Sequence, residues 1–204
     1  MPTGTSTGRG MRRALLFVFL LVIPGPARAQ EVQDTPSPPR AGSVAAVLVK
    51  GGQVADENRL FLGGWAGLVF GDHIALGGGG MTLTKGVDLR GSGLPTGFSL
   101  EAGYGGVLFK YWGDLSNGFT SEAGILLGAG HAEVHDRVSG QEVGAVNFVV
   151  LEPEVSLFFK LYRQVYIGAS GGYRFTSGIE DLPRVSSGDL RSFTATLALR
   201  LGGR

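Results

Sequence analysis

The feature that most limits what this chain can become is a period of two. From residue 43 onward no stretch sustains helical periodicity, and no apolar run is long enough to cross a bilayer as a helix. Segments of alternating apolar and polar residues are separated by turn-forming residues instead. The alternation predicts strands over 43–50, 58–70, 73–85, 97–112, 119–134, 144–161, 165–177 and 190–201. The connections at 71–72, 113–118 and 162–164 are short. Those at 51–57, 86–96, 135–143 and 178–189 read as longer and polar. Short turns on one side and long loops on the other are the asymmetry of a membrane barrel.

The two faces of each strand sharpen this reading. The sixth segment sets Val149, Leu151, Val155, Leu157, Phe159 and Leu161 against Glu152, Glu154, Ser156 and Lys160. The seventh sets Ile167, Ala169, Tyr173 and Phe175 against Gly168, Ser170, Gly172 and Arg174. The eighth sets Phe193, Leu197, Leu199 and Leu201 against Ser192, Thr194, Thr196 and Arg200. The fourth reads as Phe98, Leu100, Ala102, Tyr104 and Leu108 opposite Ser99 and Glu101, and the fifth as Ile125 and Leu127 opposite Glu122. The polar faces hold glycine, serine and threonine with a few charges of both signs, unlike the dense lysine and glutamate cover of a soluble surface. Apolar residues make up 43% of the chain and charged residues only 17%, and there are 36 glycines in 204 residues. Glycine is wasted on a solvent-facing strand, but inside a narrow barrel it leaves room for the long side chains of its neighbours. The fold class expected is therefore all-β, an eight-stranded antiparallel up-and-down transmembrane β-barrel. A soluble calycin-like barrel, apolar inside and polar outside, is the competing arrangement.

With the polar faces turned inward, Glu101, Glu122, Glu152, Glu154, Lys160, Arg174 and Arg200 share one lumen. Eight strands enclose little more than the volume of their own side chains, so buried charges there must pair. The expected partners are Glu152 or Glu154 with Arg174, then Arg174 or a glutamate with Arg200, since arginine's planar fork suits carboxylates. Such a network closes the barrel; read more sharply, it is a gate or a narrow ion path. Pro153 removes a ladder donor from the sixth strand, and a β-bulge at 152–154 is the expected remedy.

Other motifs carry less. His131 and His135 lie on one strand face roughly 13 Å apart at about 3.3 Å per residue, too far to chelate one ion. The glycine run 77–80 lacks the Lys-Ser/Thr and the helix of a phosphate cradle. No Gly-x-Ser-x-Gly elbow is present, and His131 has no serine two or four residues away, so a lipid-modifying barrel enzyme is disfavoured. Trp65, Phe70, Tyr111, Trp112, Phe119, Tyr162 and Tyr166 fall toward strand ends, as interfacial aromatic girdles do. No catalytic residue, metal site or cofactor is expected. The absence of cysteine rules out disulfides and thiolate ligands.

The N-terminus reads as an address. Met11-Arg12-Arg13 is a positive n-region, 14–23 is an apolar run of ten residues, Pro24-Gly25-Pro26 breaks it, and Ala27-Arg28-Ala29 supplies a small-x-small cleavage pattern. Residues 1–29 are expected to be a secretory signal peptide, with Met11 the start and cleavage before Gln30. Residues 30–42, polar and proline-rich, are expected to be a disordered linker before a barrel domain at 43–204. Loss of Arg9, Arg12, Arg13 and Arg28, with no acid among them, leaves 14 basic against 17 acidic residues, a net of −3. No basic patch argues for nucleic acid.

The blocks FLGGWAGLVF…HIALGGGG, LEAGYGGVLFKY, FVVLEPEVSLFFKL, VYIGASGGYRF and FTATLALRL together resemble the small outer-membrane β-barrel proteins of Gram-negative bacteria, of the outer membrane protein A-like eight-stranded type. The likeness spans about 43–201 and is one of pattern, with no catalytic signature. It implies a sealed polar interior. It also implies outer-membrane lipid and the barrel assembly machinery as partners, a monomer, both termini in the periplasm, and a structural or surface-interaction role for the loops. A narrow, porin-like channel or small-ligand carrier is the alternative. Barrels of this type commonly close on an aromatic residue, whereas this chain closes Leu201-Gly202-Gly203-Arg204.

Overall fold

A computed structural model of the chain describes residues 42–55, 57–85, 87–88, 98–136, 138–179 and 187–202. The expected signal peptide, nearly all of the linker and the last two residues lie outside these. Eight long strands follow one another: β1 Gly42–Val54, β2 Glu57–Phe70, β3 Ile74–Leu83, β5 Phe98–Asp114, β6 Phe119–Asp136, β7 Glu142–Tyr162, β8 Val165–Ser177 and β9 Ser192–Gly202. A two-residue strand, β4 (Val87–Asp88), pairs with the loop end of β5, and a single helical turn, α1 (Ser187–Leu190), precedes β9. Each long strand pairs antiparallel with the next, β1 pairs with β9, and β3 pairs with β5. The sheet therefore closes on itself and no long strand is left as an edge. The starts and ends of the strands fall within a few residues of those the alternation predicts, apart from the first strand, which runs on to Val54.

Alternation sorts every strand into an outer and an inner face. Outward stand Val47, Leu62, Leu68, Phe109, Leu127, Val155, Leu157 and Leu197; Val155 and Leu197 are 66% and 65% exposed. Inward stand the charges and hydroxyls of β7, β8 and β9, with Glu152, Arg174, Thr194, Thr196 and Arg200 all buried. A chain that shows its valines and leucines outside and hides its glutamates and arginines is built for lipid, not water. Inward glycines make the narrow bore possible. A Cβ on Gly79 would lie 2.6 Å from the Cβ of Trp65, and one on Gly168 would lie 2.4 Å from the Phe158 ring.

Several expectations need correction. The connection at 51–57 is no long loop: β1 and β2 run on until Val54 faces Glu57, leaving a two-residue turn in which Ala55 takes a positive φ of 47°. Pro153 produces no bulge. Register runs unshifted from Leu151–Phe175 to Glu154–Gly172 and only the two intervening bridges to β8 are missing, because Pro153 has no N–H to give. Trp65, Trp112 and Tyr166 belong to no girdle; they are buried in the lumen, while Phe70, Tyr111, Phe119 and Tyr162 do stand outside. The phase of β5 is inverted. Leu100, Ala102, Tyr104 and Leu108 point inward, and Glu101 lies exposed on the outer face, opposite Glu133 of β6. The side chain of Phe98 lies outside the described residues.

Candidate functional site in the lumen

Inward parity on five strands delivers the charges to one column. Toward the turn end, Arg200 of β9 donates from Nη1 to Glu122 Oε2 of β6 at 2.8 Å. Glu122 also accepts from Lys110 of β5, and Lys110 donates in turn to Glu154 of β7 at 2.5 Å. Lys50 of β1 lies 3.8 Å from Glu154 and donates to Glu152 at 2.7 Å. Glu152 accepts further from Tyr104 at 2.8 Å and Thr194 at 3.0 Å. The order along the column is Arg200, Glu122, Lys110, Glu154, Lys50, Glu152, with sign alternating at each step and three cations against three carboxylates. Aromatic faces line the cations. The Arg200 guanidinium lies 4.4 Å from the ring centroids of both Phe158 and Tyr166, and Lys110 lies 5.1 Å from that of Trp65. A cavity of about 20 Å³ beside Lys50, Glu152 and Glu154 has room for a single water.

Toward the loop end the filling changes character. Phe61, Leu100, Phe148 and Val150 form an apolar cluster with Val54, Ile179 and Leu190. The last two come from the β8–β9 connection and not from a strand; Ile179 is fully buried and Leu190 nearly so. The segment is tied down at several points. Ala55 N–H donates to Asp189 O at 2.8 Å, Thr176 Oγ1 to Ser187 O at 2.7 Å, and Arg191 Nε to Thr176 O at 3.0 Å. Arg174 sits beneath it. Its Nε donates to Leu190 O at 2.7 Å, and its Nη2 to Gln53 O at 3.0 Å and Ser192 Oγ at 3.2 Å. The guanidinium rests over Phe61 and Tyr104, with ring centroids at 4.7 and 5.7 Å.

Of the seven site residues read from sequence, Glu122, Glu152, Glu154 and Arg200 stand in the charge column. Arg174 faces inward but pairs with no carboxylate among the described residues; its partners are carbonyl oxygens and a hydroxyl. The pairing expected between Arg174 and Glu152 or Glu154 is thus absent, because Lys50 and Lys110 have already neutralised both glutamates. Glu101 is outside the barrel. Lys160 follows the inward parity but is exposed at the turn end, its ammonium 5.9 Å from the Tyr166 ring centroid. Sequence reasoning missed Lys50 and Lys110. Lys110 shares its parity with Leu108 and Trp112, so a correct phase for β5 would have brought it in.

His131 and His135 stand on the outer face at the loop end of β6. Glu133 bridges them, with 3.0 Å to each Nε2, and Asn147 meets His131 Nδ1 at 2.8 Å. His73, at a turn, approaches Trp112 O through Nδ1 at 3.1 Å.

A closed eight-strand ring, apolar without and ion-paired within, defines an eight-stranded transmembrane β-barrel. Solved structures of that class are similar to it. Neisserial surface protein A matches with a TM-score of 0.59 at 13% identity, over 79% of this chain and 96% of that one. Ail, the attachment invasion locus protein of Yersinia pestis, solved in complex with the heparin analogue sucrose octasulfate, matches with a TM-score of 0.50 at 14% identity, over 79% and 97%. The fold is that of the small outer-membrane barrels. No family model and no curated protein sequence matches the chain.

Proposed function

We propose that this chain is exported under the signal at 1–29 and resides in the outer membrane with both termini in the periplasm. It serves there as a non-enzymatic surface protein whose barrel conducts nothing. Its loop end meets the exterior and carries the interactions, while the lumen is structural. The observation that carries this reading is the filling of the lumen: an ion-paired column, a cavity beside Lys50, Glu152 and Glu154 with room for a single water, and apolar side chains toward the loop end. The Ail complex supports a binding role for a barrel of this fold, since that protein holds a sulfated ligand.

Single-channel recording of the refolded barrel in a planar bilayer tests the sealed lumen. No discrete openings are expected, and reproducible conductance steps would make it a narrow channel. Membrane fractionation with heat-modifiable gel migration tests the location. Recovery in the soluble periplasmic fraction would overturn it.

A further inference from the structure

The outer face of the barrel carries a patch of mixed chemistry at its loop end. Tyr173 of β8 stands directly across the ladder from Phe193 of β9, and Phe175 follows on the same face of β8. The Tyr173 ring centroid lies 4.9 Å from that of Phe193 and 4.6 Å from that of Phe175. Phe193 is 81% exposed, so the trio projects from the wall as a ledge. Beneath it the wall is bare. Gly171 and Gly51 both pair with Ala195, and a Cβ on Gly171 would meet nothing within 4 Å. Polar groups flank the ledge. Gly52 pairs with Thr194, so Gln53 is the next β1 position beside Phe193, and it faces Asn58 across the ladder, both exposed. Arg191 lies beyond Phe193 on the same face and is exposed. Thr176 O holds its Nε at 3.0 Å, while its two Nη groups meet no hydrogen-bond partner, ring or carboxylate among the described residues. Arg163 at the turn end, by contrast, rests over the Tyr162 ring with the centroid at 5.4 Å.

We infer that this ledge is a binding site for a phosphorylated glycolipid of the outer leaflet. The inference rests on the outer-membrane location proposed above, with the loop end outward. β9 has 11 residues, the length of one tilted crossing, so Phe193 at its loop end marks the outer interface. The chemistry is stacked in the order such a lipid presents it. An acyl chain lies along the bare wall at Gly171, Ala195 and Gly51. The C–H face of a sugar ring packs on the aromatic ledge, and the amides of Gln53 and Asn58 take its hydroxyls. The phosphate meets the fork of Arg191, already fixed at one nitrogen and open at the other two. Because its Nε is anchored, the arginine loses less freedom on binding than an unheld surface side chain does.

The test uses the full barrel refolded in dodecyl maltoside micelles, with diphosphoryl lipid A as the probe and native mass spectrometry as the readout of bound lipid. A single saturable lipid A adduct is expected, and phosphatidylglycerol, anionic but without a sugar, is expected not to displace it. Arg191→Gln should weaken retention about tenfold, the scale of a lost charge-assisted hydrogen bond. Phe193→Ala should weaken it as well, and Tyr162→Ala at the turn end should leave it unchanged. All three side chains are exposed, and heat-modifiable gel migration checks that each variant folds. Retention indifferent to both Arg191→Gln and Phe193→Ala overturns the site. So does equal retention of phosphatidylglycerol, which would leave only general attraction of anionic lipid. Displacement by free glucosamine phosphate would assign the ledge to a soluble sugar phosphate and overturn the lipid. Binding in micelles is read wherever the cell places the barrel, so membrane fractionation decides the location separately.

Discussion

The two storeys of the lumen are filled by different means. The lower storey is filled by strand residues whose positions are fixed by a closed hydrogen-bonded ring, and it holds the ion pairs, Lys50, Lys110 and Arg200 against Glu122, Glu152 and Glu154, set among buried apolar side chains such as Trp65, Leu108 and Trp112. The upper storey is apolar and is completed by a connection, through Ile179 and Leu190. A charge pair inside a rigid ring cannot be opened without unfolding the ring. A loop side chain in an apolar cup can leave while every strand stays paired. The lower storey therefore belongs to the global unfolding unit and the upper storey to a local one.

The largest effect expected from this contrast is at Glu122. Its carboxylate meets Lys110 and Arg200 with no side-chain exposure, so Glu122→Ala strands two buried cations. Loss of a buried partner costs about 3–5 kcal/mol, and it should appear in full as a lowered urea midpoint for the barrel refolded in lipid vesicles. Arg174→Ala comes next. It removes hydrogen bonds from a charged group to Leu190 O, Gln53 O and Ser192 but strands no carboxylate, a loss of about 1.5–3 kcal/mol. Part of that loss should appear as faster exchange at 187–191 and not in the urea midpoint. Leu190→Ala should cost about 1–2 kcal/mol, limited by the free energy of opening the turn and visible by exchange alone. A Leu190→Ala variant that lowers the urea midpoint as far as Glu122→Ala does would erase the distinction between storeys.

How much of this the sequence discloses follows the same division. On β8 and β9 the lumen face is largely polar, and on β7 it carries Glu152, Glu154 and Ser156 between Val150 and Phe158, so alternation gives the correct phase and brings Glu152, Glu154, Arg174 and Arg200 inward. On β5 the loop-end half of the strand lines the apolar storey. There Leu100, Ala102 and Tyr104 face in, while Gly103, Gly105 and Glu101 face out, and polarity alone reverses the phase. That one reversal misplaced Glu101 and concealed Lys110. The pairing of charges was less legible still. The column joins β1, β5, β6, β7 and β9 across the bore, and neighbouring positions in sequence or register do not reveal which side chains meet across it. The turn at 187–190 has no periodicity to read; alternation starts the last strand at Leu190, whereas that strand opens at Ser192.

Glu101 offers the finest test of the facing, because the two phases of β5 predict effects of very different size. Placed in the lumen, its removal would break a buried charge arrangement at a cost of about 3–5 kcal/mol. On the outer face it stands exposed, directly across the ladder from Glu133, which is held by His131 and His135. Like charges opposite one another on adjacent strands are mildly destabilising, by a few tenths of a kcal/mol to about 1 kcal/mol. Glu101→Gln should therefore leave the urea midpoint unchanged or raise it slightly. The rise should shrink as salt screens the repulsion. A midpoint lowered by several kcal/mol would return Glu101 to the lumen and reverse the face of β5.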